Sequence, residues 1–181
     1  MRKASLNRHS TVLLFVALAT VIFVMARESR RSLWMVEKIV DIKYRVPDID
    51  YRYLAKRLAA GAPDTLIFDT RAPTEYATSH IRWATRVSWR MPVAQFMKTY
   101  GAAIRGKHLV FYCSVGERSS RFVQRIREAA LKHGALSVAN LKGGIFRWYN
   151  EGLAVYGPSG KTDAIHPFNA RWGRLLKKRS G

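Results

Sequence analysis

The chain has 181 residues, which is enough for one domain of ordinary size with flanking segments and leaves little room for a second. Its single cysteine excludes an intrachain disulfide and a cysteine-rich zinc site. Lys and Arg number 32 against 12 Asp and Glu, and the resulting net charge of +20 indicates an anionic partner or surface. The sequence has neither zinc-finger spacing nor an aromatic RNA-binding signature, so a membrane surface or general solvation is favoured over nucleic acid.

The N-terminal segment 1–31 predicts a membrane anchor. Thr11 to Ala26 are sixteen residues without a charge, preceded by Arg2, Lys3 and Arg8 and closed by Arg27. A helix of this length reaches about 24 Å and spans a hydrocarbon core of about 30 Å only with help from its flanks. A cleaved signal peptide is the alternative, but the arginines that follow at once favour an uncleaved, single-pass anchor.

The charge next to this segment predicts which side of the membrane the main domain occupies. Three bases precede the apolar stretch, and six follow it within about twenty residues. The positive-inside rule therefore favours the cytoplasm over the periplasm, and a free thiol is compatible with either side. Residues 32–47 are predicted to be a linker to the domain.

Residues 48–156 predict a parallel α/β sheet with helices on both faces, because helical and strand patterns alternate. In chain order these are a helix after Asp48 or Asp50, a strand at 65–69, a helical turn at 74–81, a strand at 85–89, a helix at 92–104, a strand at 108–113, a helix at 118–134, a strand at 136–141 and a last helical segment at 143–152. Residues 157–181 predict a basic, irregular arm with a short helix at 170–176.

Cys113 ends the apolar strand that we expect at the centre of the sheet. Ligands of parallel sheets bind beyond the carboxyl ends of the strands, where helix N-termini point. A thiolate at this place is stabilised by the positive end of the helix near Arg118 and by loop amides, and Gly116 allows a tight turn. Buried filler is the usual role of a lone cysteine, but the succession of strand, cysteine, polar loop, arginine and helix favours a nucleophile.

Three stretches together resemble the rhodanese homology family. "LIFDTRAPTEYATSHI" at 66–81 is similar to its first signature, "VFYCSVGERSS" at 110–120 to its active loop, and "VANLKGGIFRWYNEGLAVY" at 138–156 to its closing signature. The resemblance implies a rhodanese-like fold and a sulfurtransferase that needs no cofactor or metal. Cys113 would carry a sulfane sulfur as a persulfide among the loop residues Ser114, Val115, Gly116, Glu117, Arg118 and Ser119.

The resemblance also implies partners: a small sulfur donor (thiosulfate, a persulfide or a polysulfide) and an acceptor that is a thiol, cyanide or a partner protein. Four residues separate Cys113 from Arg118, whereas the phosphatase-like relatives of the family have five. Members that use thiosulfate carry an arginine at the place of Glu75, which disfavours thiosulfate as the donor here. Where the family usually has Gly-Ala, this chain has Trp83-Ala84.

Three more residues are expected to support the site without reacting. Asp69 and Arg71 at a strand end can fix the neighbouring loop through charge-assisted hydrogen bonds. His80 is expected to position a loop, because no metal-ligand spacing surrounds it. An alternative for the whole protein is a non-enzymatic module of the same fold that binds an anion or a protein at the membrane, with Cys113 unreactive.

Overall fold

The structure is a computed structural model that describes residues 32–177 and residue 179. Its helices are α1 Leu33–Tyr44, α2 Tyr51–Ala59, α3 Pro73–Thr78, α4 Val93–Tyr100, α5 Glu117–Lys132, α6 Gly144–Asn150 and α7 Ala170–Gly173. Its strands are β1 Asp48–Ile49, β2 Thr65–Asp69, β3 Thr85–Arg86, β4 His108–Tyr112, β5 Ser137–Leu141, β6 Val155–Gly157 and β7 Gly160–Thr162.

Five strands form one parallel sheet in the order β1-β5-β4-β2-β3. β4 is its centre, pairing along its length with β2 on one side and β5 on the other. The predicted parallel α/β fold and the central place of the strand before Cys113 are therefore confirmed. The strand predicted at 85–89 pairs only over Thr85–Arg86.

Alternate residues of the central strands supply two separate cores, one on each face of the sheet. Ile67, Val110 and Tyr112 belong to the core beneath α2 and α6, whereas Phe68 and Phe111 belong to the core beneath α4 and α5. Because both faces are covered, these strands read as continuous apolar runs and not as alternating ones. The second core is rich in rings, with Phe68 stacked on Phe111 at a centroid distance of 4.9 Å.

Residues 33–44, most of the segment that we expect to link the anchor to the domain at 32–47, form helix α1 on the domain surface. Leu33, Val40 and Tyr44 are buried. Glu37, 5% exposed, accepts hydrogen bonds of 2.7 and 2.8 Å from Arg147 in α6. These contacts make α1 part of the folded unit.

The C-terminal residues are more ordered than the irregular arm predicted at 157–181. β6 and β7 form an antiparallel hairpin, and Tyr156 exchanges two backbone hydrogen bonds of 2.9 Å with His80. The short helix expected at 170–176 is present as α7. The chain then packs Leu175 and Leu176 against the core beneath α6.

The predicted membrane segment Thr11–Ala26 lies outside the described residues. Within residues 32–177, no helix combines the length and the apolar character that crossing a membrane requires.

Candidate active site

Cys113 lies where the central strand β4 ends and the chain turns into α5. Its side chain is 1% exposed, and its Sγ accepts a hydrogen bond of 3.2 Å from the backbone N–H of Gly116. Gly116 precedes α5 with φ at +98°, a left-handed conformation that suits glycine and aims its N–H back at the sulfur. The first turn of α5 thus places a donor and the positive helix end beside the thiol.

The N-terminus of α6 holds the same loop from the other side. Ile145 N–H donates to the Cys113 carbonyl and Phe146 N–H to the Ser114 carbonyl, both at 2.9 Å. A Cβ on Gly144 would collide with the Cys113 carbonyl oxygen, so only glycine allows this approach. The Gly-Gly pair of the third signature therefore shapes the active loop.

Arg118 faces Glu75, and the two side chains form a nearly buried ion pair. The two terminal nitrogens of Arg118 each donate to one Glu75 oxygen at 2.7 Å. Ser114 Oγ also donates to Glu75, at 2.9 Å. Burial disfavours the ionised carboxylate, but the hydrogen bonds and charge of Arg118 outweigh it and lower the pKa of Glu75 to about 2. The cation of the active loop is thus neutralised by a carboxylate from α3.

A small cavity of about 80 Å³ opens over the sulfur. Four of the predicted loop residues line it beside Cys113, together with two aromatic side chains from the C-terminal segment; these are Ser114, Val115, Glu117, Arg118, Phe168 and Trp172. Gly116 and Ser119 lie behind this lining. Ser119 Oγ donates to Asn140 Oδ1 at 2.7 Å, so it fixes the loop against β5.

The predicted supporting residues Asp69, Arg71 and His80 are not among the residues that line the cavity. Asp69 and Arg71 are joined by hydrogen bonds of 2.7 to 3.1 Å with both side chains fully buried, and Arg71 also donates to the Ser79 carbonyl at 2.5 Å. His80 stacks on Tyr76 at a centroid distance of 4.1 Å. Together they fix the segment that carries Glu75, and none of them lines the cavity.

Three residues of the site were not assigned a role from the sequence. The sequence marks Glu75 only as a departure from the thiosulfate-using members, and its position in the first signature is the available signal. Phe168 and Trp172 lie in a segment with no regular hydrophobic period, so no pattern indicated that they reach Cys113.

A second cavity, of about 320 Å³, lies at the opposite, amino-terminal ends of β4 and β5. Tyr53, Arg57, His108 and Ser137 are among the residues that line it. Cys113 is not among the residues that line it.

Comparison with known proteins agrees with this geometry. The profile of the Rhodanese-like domain matches residues 50–151. A sulfurtransferase of Allochromatium vinosum is 30% identical over 115 residues, which cover 64% of this chain and 99% of that protein. A tRNA uridine(34) hydroxylase of Bordetella pertussis is also 30% identical over 115 residues, covering 59% of this chain but 45% of that protein. The crystal structure of the BH2092 protein of Bacillus halodurans superposes with a TM-score of 0.57 at 20% identity over 74% of this chain and 93% of that one.

Proposed function

The chain belongs to the rhodanese-like domain family, and on that premise we propose that it transfers a sulfane sulfur through a persulfide on Cys113. The observation that carries the proposal is the position of Sγ, at the base of a small cavity with the Gly116 N–H 3.2 Å away. A donor N–H aimed at Sγ stabilises the thiolate that attacks the sulfur donor and that leaves when the persulfide is consumed. The relative named as a sulfurtransferase, covered over 99% of its length, supports the same chemistry.

The reaction balances with one cysteine and no cofactor. The Cys113 thiolate attacks the outer sulfur of the donor, and the bond to the rest of the donor breaks with its electron pair leaving as sulfite, sulfinate or a thiolate. The new S–S bond is the persulfide. A thiolate or cyanide then attacks its outer sulfur and releases the Cys113 thiolate.

Phosphatase activity is disfavoured by the Glu75 contact as well as by the loop length. A tetrahedral phosphate dianion needs the free edge of the loop arginine. In this chain both terminal nitrogens of Arg118 already donate to Glu75. The carboxylate would also repel the dianion.

The test is sulfur transfer by the full-length chain in detergent. With a thiosulfonate donor and cyanide as acceptor we expect thiocyanate, and without acceptor a mass gain of one sulfur atom on the peptide that contains Cys113. Cys113→Ser is expected to lose both. If wild type and Cys113→Ser are equally inactive with thiosulfate, thiosulfonates and polysulfide, the protein is a binding module and not an enzyme.

We further propose that the N-terminal segment tethers the domain to a membrane. The support is the uncharged stretch Thr11–Ala26 with its arginine flanks. Helix α1 begins seven residues after that stretch, and its outer face exposes Trp34, Ile39 and Ile42 by 54, 58 and 71%. Apolar side chains beside Lys38 and Lys43 suit the interface of an anionic lipid layer.

Two measurements test this placement. The full chain is expected in the membrane fraction after a carbonate wash, and a variant that lacks residues 2–26 is expected in the supernatant. Alkaline phosphatase fused after Gly181 should stay inactive if the domain faces the cytoplasm. High phosphatase activity would place the domain on the periplasmic side and contradict our assignment.

A further inference from the structure

The C-terminal segment forms a strap across the cavity. Phe168 places its ring 4.9 Å from the Arg118 guanidinium carbon, and Trp172 lines the cavity together with Cys113. Phe168 adopts φ at +65°, a left-handed conformation that residues other than glycine seldom adopt. Its neighbour Asn169 accepts a hydrogen bond of 3.0 Å from Trp172 N–H and fixes the turn.

The strap is fastened beyond the cavity, so its two aromatic side chains are held in place. The Asn150 side chain donates to the Leu175 carbonyl at 2.7 Å and accepts from Lys177 N–H at 2.8 Å. Arg179 lies 3.8 Å from the ring centroid of Tyr149 and donates to the carbonyls of Tyr149 and Leu153. These contacts lie at the end of α6, the helix whose other end holds the active loop.

The cavity that the strap leaves is too small for a ring. Its volume is about 80 Å³, whereas a cavity of about 150 Å³ is known to accept benzene. A single sulfur atom with a small substituent fits this space. A bulky group on the donor would meet Phe168 and Trp172 before its sulfur reached Cys113.

The charge of the cavity lining also restricts which donors reach Cys113. Arg118 is the one cation among the described residues that line it, and three of its N–H groups donate to Glu75 and Ser114. Glu117 adds a carboxylate, which is paired with Lys43 at 2.8 Å. A dianion therefore meets a cation whose charge is already balanced by the Glu75 carboxylate.

Both aromatic residues lie beyond residue 151, where the match to the family profile ends. On the basis of the proposed function, we propose that Phe168 and Trp172 are specificity-determining residues that, with Glu75, restrict Cys113 to small donors of at most one negative charge. Hydropersulfide ions and short alkyl thiosulfonates belong to this class, and aryl donors and thiosulfate do not.

The effects of donor size and donor charge are tested separately on the full-length chain with three donors. Methanethiosulfonate and benzenethiosulfonate differ in size, and thiosulfate carries one more negative charge than either. In each, Cys113 takes the terminal sulfur and sulfinate or sulfite leaves with the bonding electron pair. We expect kcat/KM for the methyl donor to exceed that for the phenyl donor by about tenfold or more, as steric exclusion at a pocket of fixed size does. Phe168→Ala and Trp172→Ala should each raise the ratio of kcat/KM for the phenyl donor to kcat/KM for the methyl donor about tenfold.

Tyr53→Ala is the matched control, since Tyr53 is 49% exposed and Phe168 is 46% exposed, and Tyr53 lines the other cavity. A phenyl-to-methyl ratio that changes no more in the strap variants than in Tyr53→Ala overturns the size filter. The charge filter is tested by comparing thiosulfate with methanethiosulfonate. We expect a lower kcat/KM for thiosulfate, and a smaller difference between the two values of kcat/KM in Glu75→Gln. Equal rates in the wild type overturn the charge filter.

Alkylation of Cys113 distinguishes a failure of this inference from a failure of the proposed function. The rate of alkylation by 2-iodo-N-phenylacetamide relative to that by iodoacetamide, which contains no ring, should rise in both strap variants, whether or not any donor is turned over. If all donors are inactive but this ratio rises, the filter stands and the sulfur-transfer proposal falls. An unchanged ratio contradicts the filter even in an active enzyme.

Discussion

Glu75 and Arg118 meet through two hydrogen bonds of 2.7 Å although they are 43 positions apart in the chain. α3 brings the carboxylate and α5 brings the guanidinium, and both converge where the central strand β4 ends. The pair fixes the loop that follows Cys113, because Ser114 Oγ bonds to both partners at 2.9 Å. The carboxylate also balances the charge of Arg118. Under the proposed donor selectivity, this one contact would serve both stability and donor choice.

The Glu75 carboxylate makes stability depend on pH. Its pKa falls from 4.5 to about 2 on folding, which corresponds to about 3 kcal/mol of stabilisation above pH 4.5. Because the folded pKa lies below the unfolded one, this stabilisation is present near neutral pH and is lost as the pH falls from about 4.5 to about 2. Glu75→Gln should lower the free energy of unfolding in urea by about 3 kcal/mol at pH 7 and by much less at about pH 2.5.

Glu128→Gln is the control for this experiment. Glu128 also pairs with a cation, Lys132 at 2.7 Å, but its side chain is 83% exposed. Its substitution is therefore expected to leave the free energy of unfolding nearly unchanged. Equal losses in the two variants would show that the Glu75 pair contributes no more than a surface contact.

Trp83 occupies a turn that glycine would occupy with less strain. Its φ is +63° and its side chain is 60% exposed, so little packing offsets the left-handed backbone. The departure from the glycine that is usual in the related family therefore carries a cost in this chain. Trp83→Gly should raise the free energy of unfolding by about 0.5 to 1 kcal/mol, measured by urea unfolding.

Trp34→Gly is the control, because the same substitution in a helix is expected to lower stability. Trp34 is 54% exposed but lies in helix α1, where glycine costs about 1 kcal/mol. A stabilised Trp83→Gly beside a destabilised Trp34→Gly is the expected pair of results. Loss of stability in both variants would mean that the Trp83 ring contributes more through Arg82, 4.8 Å from its centroid, than its backbone costs.

The sequence was most informative where local signals agree with tertiary packing. Strand 65–69 was predicted with the observed bounds, and the helix predicted at 118–134 is observed at Glu117–Lys132. Both combine an apolar run or stripe with turn residues at their ends. α1 was missed because Trp34, Ile39 and Ile42 on its outer face obscure the amphipathic period.

The active loop was predictable for a different reason from the strap that covers it. Cys113, its loop and Arg118 are contiguous, so a motif could indicate them. The contacts of Glu75, Phe168 and Trp172 with this loop depend on how distant segments fold back, and no local pattern encodes that. The strap also consists of residues with mixed spacing around Pro167 and Gly173, which gave no periodic signal.

Gly144 should tolerate no side chain, because α6 approaches the active loop so closely there. In Gly144→Ala the new Cβ would collide with the Cys113 carbonyl oxygen and lie 2.7 Å from that of Ser114. The loop must shift, and the hydrogen bond from Ile145 N–H at 2.9 Å weakens. We expect a loss of about 2 kcal/mol or more in stability and a fall in the rate of Cys113 persulfide formation.

Gly61→Ala is the control that separates two effects of Gly144→Ala, the steric clash of the new Cβ and the strain of a positive φ. Gly61 has φ at +63°, near the +57° of Gly144, but a Cβ added there would meet no atom of the described residues within 4 Å. Its substitution should cost about 1 kcal/mol from strain alone and leave persulfide formation unchanged. If Gly144→Ala behaves in the same way, the contact between α6 and the loop is not needed for activity.

An ion pair joins α1, which lies in the segment 32–47 that the sequence predicts as a linker, to α6. Glu37 accepts two hydrogen bonds from Arg147, at 2.7 and 2.8 Å, and its side chain is 6% exposed. Glu37→Gln removes the charge and leaves the partly buried Arg147 without its main partner, so unfolding in urea should become easier by about 2 kcal/mol. Glu151→Gln is the control, because Glu151 contacts the same arginine through one longer hydrogen bond of 3.2 Å. It should cost less than about 1 kcal/mol. Helix α1 lies between the proposed membrane segment and the rest of the domain. A large loss of unfolding free energy in Glu37→Gln with a small loss in Glu151→Gln would show that α1 is part of the folded domain. Equal losses in the two variants would support the linker expected at 32–47.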